Sequence, residues 1–490
     1  MTLRTFFLCL AAGLIPLCGP ATVFGQGNAQ ADFDLCKNAT RGRNADPSIL
    51  ACTRLLNIEI RESAHRRAVM LSFRALGWKA KGDVKRATAD LTEAIGLDAG
   101  FAPAYEARAD IQRESDQCDR ARPDYDQAIK LAPDRAGARF GRALCHAEEK
   151  KIKEAIADLD EAIKIDPDNG KGVAALAWSM KARLNVTGGN IEAALAAFEA
   201  AVKLDPKRAD LYLERALVLA GQGNEERALA DYDRTIELGD KRYASAAWSG
   251  KAALHARKER FDAAIAAYDQ AINADPTHAA AYVSRAALRT RKGDRTGALA
   301  DLDAAIARNP AVPTLYKARG DFHRAQRNYV KALADYDQAI ALQPDFIIAY
   351  GDRALLRYYM GDFEKSVDDF RHVNEQQPNG YSVLFHYLAA TRSGKAVAAE
   401  EFSKSISALK PADWPYPIIE VFLGKKNAET LQKEATKPAE RCEAHFYLGA
   451  FQLTRDLKDQ AVKELRAAVA NCPEDFVEFR AADEDLKRLN

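Results

Sequence analysis

The sequence has no excess of charge of either sign. Its 490 residues include 71 Lys and Arg against 70 Asp and Glu, which gives a formal net charge of +1. Binding to nucleic acid or to an anionic membrane would need a clustered basic excess, so we expect neither partner. Gly and Pro are also modest in number, at 28 and 18 residues. This composition favours helix.

Motifs that carry catalysis are absent as well. The chain has no H-E-x-x-H, no Gly-rich phosphate loop, no G-x-S-x-G and no paired C-x-x-C. The eight histidines form no site by their spacing. We therefore expect no enzyme activity, no metal site and no cofactor.

The one pronounced apolar run lies in the first 25 residues. Arg4 precedes the run from Phe6 to Leu17, and Gly19 and Pro20 break any helix after it. This pattern predicts a secretory signal peptide over residues 1–25, with a buried first helix as the alternative. No later stretch is long enough to span a bilayer, and neither cysteine here follows the small residue that a lipoprotein needs. We expect an exported, soluble, periplasmic chain without a transmembrane span.

A 34-residue repeat fills most of the remaining sequence. The template is visible in GDVKRATADLTEAIGLD, GNEERALADYDRTIELGD, GDRTGALADLDAAIARNP and RNYVKALADYDQAIALQP. Counted with place 1 at Ala102, each unit has small residues at places 8 and 20 and a large one at place 24. Small residues let two helices approach, and the large side chain fills the adjoining hole. The pattern resembles the tetratricopeptide repeat and implies an all-α, right-handed α-solenoid, a superhelix of antiparallel helix pairs.

The repeat frame also predicts the organisation of the chain. In the fifth unit, RLNVTGGNIEAA is about five residues longer than the template, so we expect the turn from Leu184 to Asn190 to protrude. The predicted segments are a signal peptide (1–25), a divergent helical hairpin with a disulfide (29–67), about nine repeats (68–380), a degenerate repeat with a Pro-containing helical connector (381–441), and a C-terminal hairpin with a capping helix (442–490).

Arginine and aspartate recur together at places 7 and 23. Facing residues of an antiparallel hairpin have a constant sum of places, so we expect an Arg–carboxylate pair between the two helices of a unit. A row of ligand-binding arginines is the alternative. Leu176 with Ala197, and Lys251 with Ala267, are the expected exceptions. The predicted pairs are Arg74 with Asp90, Arg108 with Asp124, Arg142 with Asp158, Arg215 with Asp231, Arg285 with Asp301, Arg319 with Asp335, and Arg353 with Asp369.

Six cysteines follow the predicted signal peptide, and an even count in an exported chain suggests three disulfides. Cys36 and Cys52 stand at places 8 and 24, and Cys442 and Cys472 at places 1 and 31, so both pairs sum to 32. Facing Cα atoms of packed helices lie roughly 4–5 Å apart, close to what a disulfide accepts. We therefore predict that the first and last hairpins are each closed by a disulfide. A pair of Cys118 with Cys145 would join neighbouring repeats and is left open, with free buried thiols as the alternative.

In tetratricopeptide repeats, places 2, 5, 6, 9, 12 and 13 of the first helices line a concave groove. The resemblance implies protein partners in this groove, and an apolar lining suits an amphipathic helix or an extended apolar segment. Lys317, Asp321 and Arg324 make a more polar patch further along. The alternative is that some lining residues pack against the next repeat. The predicted apolar residues are Phe140, Leu144, Trp178, Leu213, Leu217, Val283 and Leu355.

A closer resemblance covers about the last eighty residues. Trp414 and the segments IIEVFLGKKNAETL, CEAHFYLGAFQL and AVANCPEDFVEFRAADEDL resemble the C-terminal part of NlpI-type lipoproteins. Those are periplasmic repeat proteins that act as adaptors for a carboxyl-terminal processing protease and for cell-wall hydrolases and synthases. The resemblance implies an exported scaffold that links envelope proteins to a protease or to cell-wall enzymes. The alternative function is a non-catalytic component of a polysaccharide or protein export assembly.

Overall fold

The computed structural model describes residues 26–38, 45–57, 63–394, 399–411 and 413–489. These residues form 27 α-helices and no strand, which confirms the all-α prediction. The chain divides into two compact units, Met1–Lys251 and Ala252–Asn490. The predicted signal peptide lies outside the described residues.

The first unit consists of helical hairpins that follow one another along the chain. Its helices are α1 (Gln26–Lys37), α2 (Asp46–Asn57), α3 (Ala64–Ala80), α4 (Val84–Leu97), α5 (Ala102–Glu114), α6 (Cys118–Leu131), α7 (Ala136–Glu148), α8 (Ile152–Ile165), α9 (Ala174–Thr187), α10 (Ile191–Leu204), α11 (Ala209–Gly221) and α12 (Glu225–Glu237). The next helix, α13 (Lys241–Arg257), contains the boundary between the units.

Small residues hold the two helices of a hairpin together. In the hairpin of α5 and α6, Ala109 and Ala121 are fully buried, and the ring of Tyr125 is buried beside them. A Cβ on Gly141 of α7 would clash with the ring of Tyr125, so the next helix also needs a minimal side chain at that point. The alternation of small and large residues therefore fixes the packing within a repeat and against the following one.

The turn between the two helices has the same conformation in successive repeats. Place 15 is left-handed, both as glycine, in Gly82 (φ 80°), and as other residues, in Asp116 (φ 58°). The next backbone N–H bonds back across the turn, for example from Gln117 to the carbonyl of Gln112 at 3.0 Å. This arrangement satisfies the last carbonyls of the first helix and closes the hairpin in a few residues.

The expectation of a protruding turn in the fifth unit is wrong. Helix α9 continues to Thr187, and Gly189 takes the ordinary left-handed turn before α10. The extra residues instead precede α9, where the Asp166 carboxylate accepts hydrogen bonds from the N–H groups of Lys171 (2.8 Å) and Val173 (2.9 Å). As a result Lys181, rather than Leu176, occupies place 7 of this repeat.

The second unit continues the hairpins and ends in a closed group of helices. Its further helices are α14 (Phe261–Ala274), α15 (Ala279–Arg291), α16 (Arg295–Arg308), α17 (Pro313–Ala325), α18 (Tyr329–Leu342), α19 (Ile347–Met360), α20 (Phe363–Gln376), α21 (Gly380–Arg392), α22 (Ala399–Ser407), α23 (Tyr416–Phe422), α24 (Ala428–Glu434), α25 (Pro438–Leu453), α26 (Lys458–Asn471) and α27 (Val477–Leu489).

The last helix, α27, returns to the hairpin of α19 and α20. The Tyr359 hydroxyl donates to the Val477 carbonyl at 3.3 Å, and Arg488 Nη1 donates to the Tyr359 carbonyl at 2.7 Å. One hydrophobic cluster runs from Ala332 through α21 and α25 to Ala482. The C-terminal helices thus share a core with the last regular repeats rather than extending the array.

Candidate protein-binding groove

Each of the seven predicted arginines meets the aspartate sixteen residues later. In the hairpin of α7 and α8, Arg142 Nε lies 2.8 Å from Asp158 Oδ2, and Arg142 Nη2 lies 2.6 Å from Asp158 Oδ1. Such a pair of parallel N–H···O bonds suits the planar guanidinium. The same two-point contact joins Arg74 to Asp90, Arg108 to Asp124, Arg215 to Asp231, Arg285 to Asp301, Arg319 to Asp335, and Arg353 to Asp369.

The carboxylates of these pairs lie between the helices rather than at the surface. All seven aspartates are between 3% and 7% exposed: Asp90, Asp124, Asp158, Asp231, Asp301, Asp335 and Asp369. A buried carboxylate is costly unless it is paired and hydrogen-bonded, so each aspartate depends on its arginine.

Most of these arginines also reach the preceding repeat. Arg142 Nη1 donates to Asp126 Oδ1 at 2.6 Å, and Arg319 and Arg353 contact Asp303 and Asp337 at 2.7 and 2.6 Å. We call these contacts the carboxylate ladder: place 7 joined to place 23 of its own unit and to place 25 of the unit before. Its two carboxylates hold the pKa of Arg142 above the ordinary value for arginine. Arginines held in this way are not free to bind a ligand.

Two units without an aspartate at place 23 have a lysine instead of an arginine at place 7. In the fifth unit place 23 is Ala197, and Lys181 at place 7 has only the preceding carboxylate to meet, Asp160, at 2.5 Å. Lys251 likewise pairs with Asp233 of the preceding repeat. A lysine is a single point charge, so it suits one partner where arginine suits two.

The structure also changes the place of Trp178. Because the left-handed turn residue Gly189 takes place 15, place 1 falls on Ala175 and Trp178 stands at place 4. Its ring centroid lies 5.1 Å from the Lys181 ammonium. Tyr282 and Tyr316 take the same position beside Arg285 and Arg319. The prediction of Trp178 as a groove residue depended on the misplaced extra residues and is wrong.

The six cysteines are joined in three disulfides. The Cα atoms are 4.9 Å apart in both the Cys36–Cys52 and Cys442–Cys472 pairs, each within one hairpin. Cys118 and Cys145 join neighbouring repeats across a Cα distance of 5.3 Å. These distances lie in the range that a disulfide accepts.

The predicted apolar groove of the first unit is mostly interior. Phe140, Leu144 and Leu213 are 1%, 7% and 8% exposed, so they fill the space between repeats. Leu217 on α11 is 54% exposed and remains available to a partner. Three of these four residues therefore pack against the next repeat, as the alternative prediction had it, and only Leu217 does not.

In the second unit the predicted groove residues divide between packing and a polar network. Val283 and Leu355 are half-buried against neighbouring helices. Lys317 Nζ lies 2.7 Å from Asp321 Oδ2 and 2.9 Å from Asp352 Oδ2, which joins α17 to α19. Burial raises the pKa of Asp352, although the charge of Lys317 acts against this shift. For Lys317, burial is outweighed by the two carboxylates, and its pKa is raised.

A tyrosine completes this network from the second helix of the same hairpin. The Tyr336 hydroxyl donates to Asp321 Oδ1 at 2.8 Å, and Arg324 Nε donates to the Tyr336 oxygen at 3.1 Å. Burial is the main reason that the pKa of Tyr336 is well above its ordinary value. Lys317, Asp321 and Arg324 of α17 are thereby fixed in position.

A cavity of about 280 Å³ opens at the start of α19, next to this network. Its lining residues are Ile347, Ile348, Gly351, Asp352, Val373, Gln377 and Asn379. Ile348 is 61% exposed. A Cβ on Gly351 would meet nothing closer than Val373 Cγ2 at 4.0 Å, so the glycine leaves open space. The cavity thus combines apolar side chains with the Asp352 carboxylate and the amides of Gln377 and Asn379 in about equal parts.

Family models described as tetratricopeptide repeat match residues 106–170, 179–242, 226–279 and 284–345, and a second model of the same description matches 320–385. The chain belongs to the tetratricopeptide repeat family.

Among known proteins, the tetratricopeptide repeat chain is similar to a Lipoprotein NlpI homolog of Haemophilus influenzae. The two are 29% identical over 147 residues, which are 28% of this chain and 47% of the relative. The chain thus spans about half the length of that protein, and the match supports the resemblance to NlpI-type proteins. Pseudomonas aeruginosa pilF matches 44% of this chain and 95% of its own, at 19% identity and a TM-score of 0.39. Yeast Tom70 matches 95% and 97%, at 13% identity and a TM-score of 0.39.

Two residues of the cavity in this tetratricopeptide repeat array, Ile348 and Asp352, were not predicted from the sequence. Ile348 stands at place 2, where the two preceding units carry Ala280 and Thr314. This change to a large apolar residue could have identified it. Asp352 follows Gly351 at place 6 and looked like one more solvated carboxylate. Its contact with Lys317 crosses from one repeat to the next, which the pairing of places within a hairpin does not predict.

The described residues contain neither a cluster of metal-ligating side chains nor a helix that could span a membrane. No group of three or more His, Cys, Asp or Glu side chains in residues 26–489, apart from the gaps named above, is placed to hold a metal ion. Within the same ranges, none of the helices combines the length and the apolar character needed to cross a bilayer.

Proposed function

We propose that this chain is an exported scaffold that binds other proteins in the periplasm and links envelope proteins to a protease or to cell-wall enzymes. The observation that carries the proposal is the cavity at α19, where the exposed Ile348 stands beside a fixed polar network. A concave site that combines apolar side chains with a few fixed polar groups is a common form of binding site.

The groove of the second unit suits a peptide with one apolar anchor side chain. Gly351 leaves room for a backbone to approach, and Ile348 supplies apolar surface. Asp352 and Lys317 are held by their mutual contact at 2.9 Å, so binding would not have to order them. Groups that are already ordered lower the entropic cost of association.

The periplasmic location is supported by the three disulfides. Disulfides persist in oxidising compartments such as the periplasm and are rare in the bacterial cytoplasm. The role as an adaptor is supported by the similarity to the Lipoprotein NlpI homolog. Repeat arrays of this kind bind partners along extended surfaces, which suits a protein that brings two others together.

A photo-crosslinking residue placed at Ile348 in the native envelope tests the proposal. The matched control is Val330, which is 75% exposed on α18, a second helix outside the groove lining. We expect crosslinks to a protease or a cell-wall enzyme from position 348 and none from 330. Equal capture from both positions would contradict a groove site, and an outer-membrane export barrel captured from 348 would favour the export assembly.

The paired substitutions Ile348→Asp and Val330→Asp then measure the contribution of the groove. Losing one buried apolar anchor costs about 1.5–3 kcal/mol, so we expect binding of the captured partner to weaken roughly tenfold or more for Ile348→Asp. Val330→Asp should bind as the unaltered protein does. Equal affinities for both variants would place the partner elsewhere.

A further inference from the structure

Two carboxyl groups of the second unit are buried without a basic partner. Glu443 on α25 is 7% exposed, and Glu478 in the first turn of α27 is 3% exposed. Each of the ten other buried acidic residues in the described ranges contacts an arginine or several backbone N–H groups, as Asp485 of α27 contacts Arg392 at 2.6 Å. Burying a carboxylate is costly unless it is paired, so this exception needs an explanation.

Only neutral donors reach the two groups in the described structure. Trp414 Nε1 and the Tyr381 hydroxyl both donate to Glu443 Oε2, at 2.7 and 2.9 Å. The Tyr447 hydroxyl donates to Glu478 Oε1 at 3.3 Å. Two short donors can stabilise one negative charge on Glu443, whereas Glu478 is reached by the long bond from Tyr447 and by its own backbone N–H. The arrangement suits a charge on Glu443 and a proton on Glu478.

The remaining groups that face the pair do not supply a positive charge. They are Glu440 one turn earlier on α25, Tyr359 on α19, Tyr381 on α21 and Tyr447 on α25. Burial and the neighbouring Glu443 raise the pKa of Glu478 from 4.5 to about 7, and burial raises the pKa of Glu443 as well.

We propose that Glu443 and Glu478 form a proton-dependent latch, in which a proton held by the pair keeps α27 docked and its loss at rising pH weakens that docking. The latch ties four segments together, because its groups come from α21, the turn before α23, α25 and α27. Outside the latch, α27 is held by contacts such as Arg327 to Asp483 at 2.7 Å. The inference goes beyond the proposed function and does not depend on the identity of any partner.

The direction of the pH effect follows from the raised pKa of Glu478. A carboxyl that is harder to ionise in the folded protein contributes stability that is complete below its ordinary pKa of 4.5 and is lost as the pH rises through about 7. From these two values, the equilibrium constant for docking should fall roughly 70-fold between pH 5 and pH 8. Glu443 acts in the same direction.

Hydrogen exchange of α27 in the full-length protein, corrected for intrinsic rates, tests the latch between pH 5 and pH 8. We expect α27 to lose protection as the pH rises in the unaltered protein. Glu478→Gln keeps the shape and removes the ionisation, so its protection should change by less than about tenfold over this range. Asp483→Asn on the same helix removes an ordinary docking contact, and should lower protection at every pH while keeping the steep pH dependence.

Glu443→Gln provides a second variant in case Glu478→Gln does not fold, and it should also flatten the pH dependence. The same steep fall in Glu478→Gln or Glu443→Gln as in the unaltered protein would overturn the proposal. So would a flat profile in the unaltered protein, or an α27 that is unprotected already at pH 5. A flattening by Asp483→Asn equal to that of Glu478→Gln would show a structural effect only.

Discussion

Breaking one Arg–Asp contact of the carboxylate ladder should destabilise the protein strongly, because the carboxylate that loses its partner is buried. Arg142→Met keeps the apolar stem but removes both bonds to Asp158, whose side chain is 8% exposed. An uncompensated buried charge costs about 3–5 kcal/mol, and we expect about 3, because Arg142 itself is 23% exposed and water can partly replace it. Asp158→Asn should cost about 2 kcal/mol, since it weakens two charge-assisted hydrogen bonds.

The double variant separates the pair from its surroundings. If the two residues stabilise the protein mainly through each other, Arg142→Met with Asp158→Asn should cost about 3 kcal/mol rather than the sum of about 5. Asp126→Asn is the matched control on the same arginine, and should cost less than about 1 kcal/mol because Asp126 is 60% exposed.

Local hydrogen exchange in α7 and α8 is the suitable assay, because repeat arrays often unfold in parts and one global midpoint would hide the effect. High salt should reduce the contribution of Asp126 and leave that of Asp158 nearly unchanged, since exposed charges are screened more than buried ones. Additive losses for Arg142→Met and Asp158→Asn would refute the reasoning.

Three further predictions concern the ladder, the close approach of the helices and a disulfide. Ala197→Asp places a carboxylate at a site that is 1% exposed and should destabilise the protein by about 3 kcal/mol. Adding Lys181→Arg should restore most of that stability in thermal unfolding, and no recovery would contradict the carboxylate ladder. Gly141→Ala should lower the free energy of unfolding in denaturant by about 1–3 kcal/mol, because its new Cβ would clash with the ring of Tyr125. Gly351→Ala should change that free energy by less than about 1 kcal/mol. Equal effects of the two variants would argue against the close approach of Gly141 to Tyr125. Replacing Cys442 and Cys472 by serine should lower the free energy of unfolding of α25 and α26 by about 2–4 kcal/mol, and unchanged hydrogen-exchange protection of these two helices would exclude that role for the disulfide.

The sequence predicted the helix pairs well because the determining contacts are local. Places 7 and 23 face each other within one hairpin, so Arg285 and Asp301 could be paired by counting alone. The extra residues of the fifth unit could not be placed in this way. Gly188 and Gly189 look like the start of a longer turn, and the bonds that hold the real insertion come from Asp166 to backbone N–H groups.

The contacts that could not be predicted join residues far apart in the sequence. Tyr381 and Glu443 are 62 residues apart, and no periodic pattern relates them. The place of a predicted groove residue in the repeat does not fix its exposure either: Phe140 is buried, whereas Leu217 is exposed. Patterns within one repeat predict the scaffold, whereas the groove and the latch depend on side chains brought together from separate repeats.

The carboxylate ladder also makes repeats exchangeable. Asp303 and Asp337 occupy the same place in successive units and meet Arg319 and Arg353 in the same way. Removing residues 313–346 as one block would bring Arg353 next to Asp303 with the same chemistry at the new junction. The ladder alone would therefore tolerate the loss or duplication of a whole 34-residue unit here. Residues 313–346 also carry Lys317, however, and their loss would take that partner away from the buried Asp352 carboxylate. The ladder lets array length vary in evolution, and contacts between repeats such as that of Lys317 with Asp352 decide which unit can be lost.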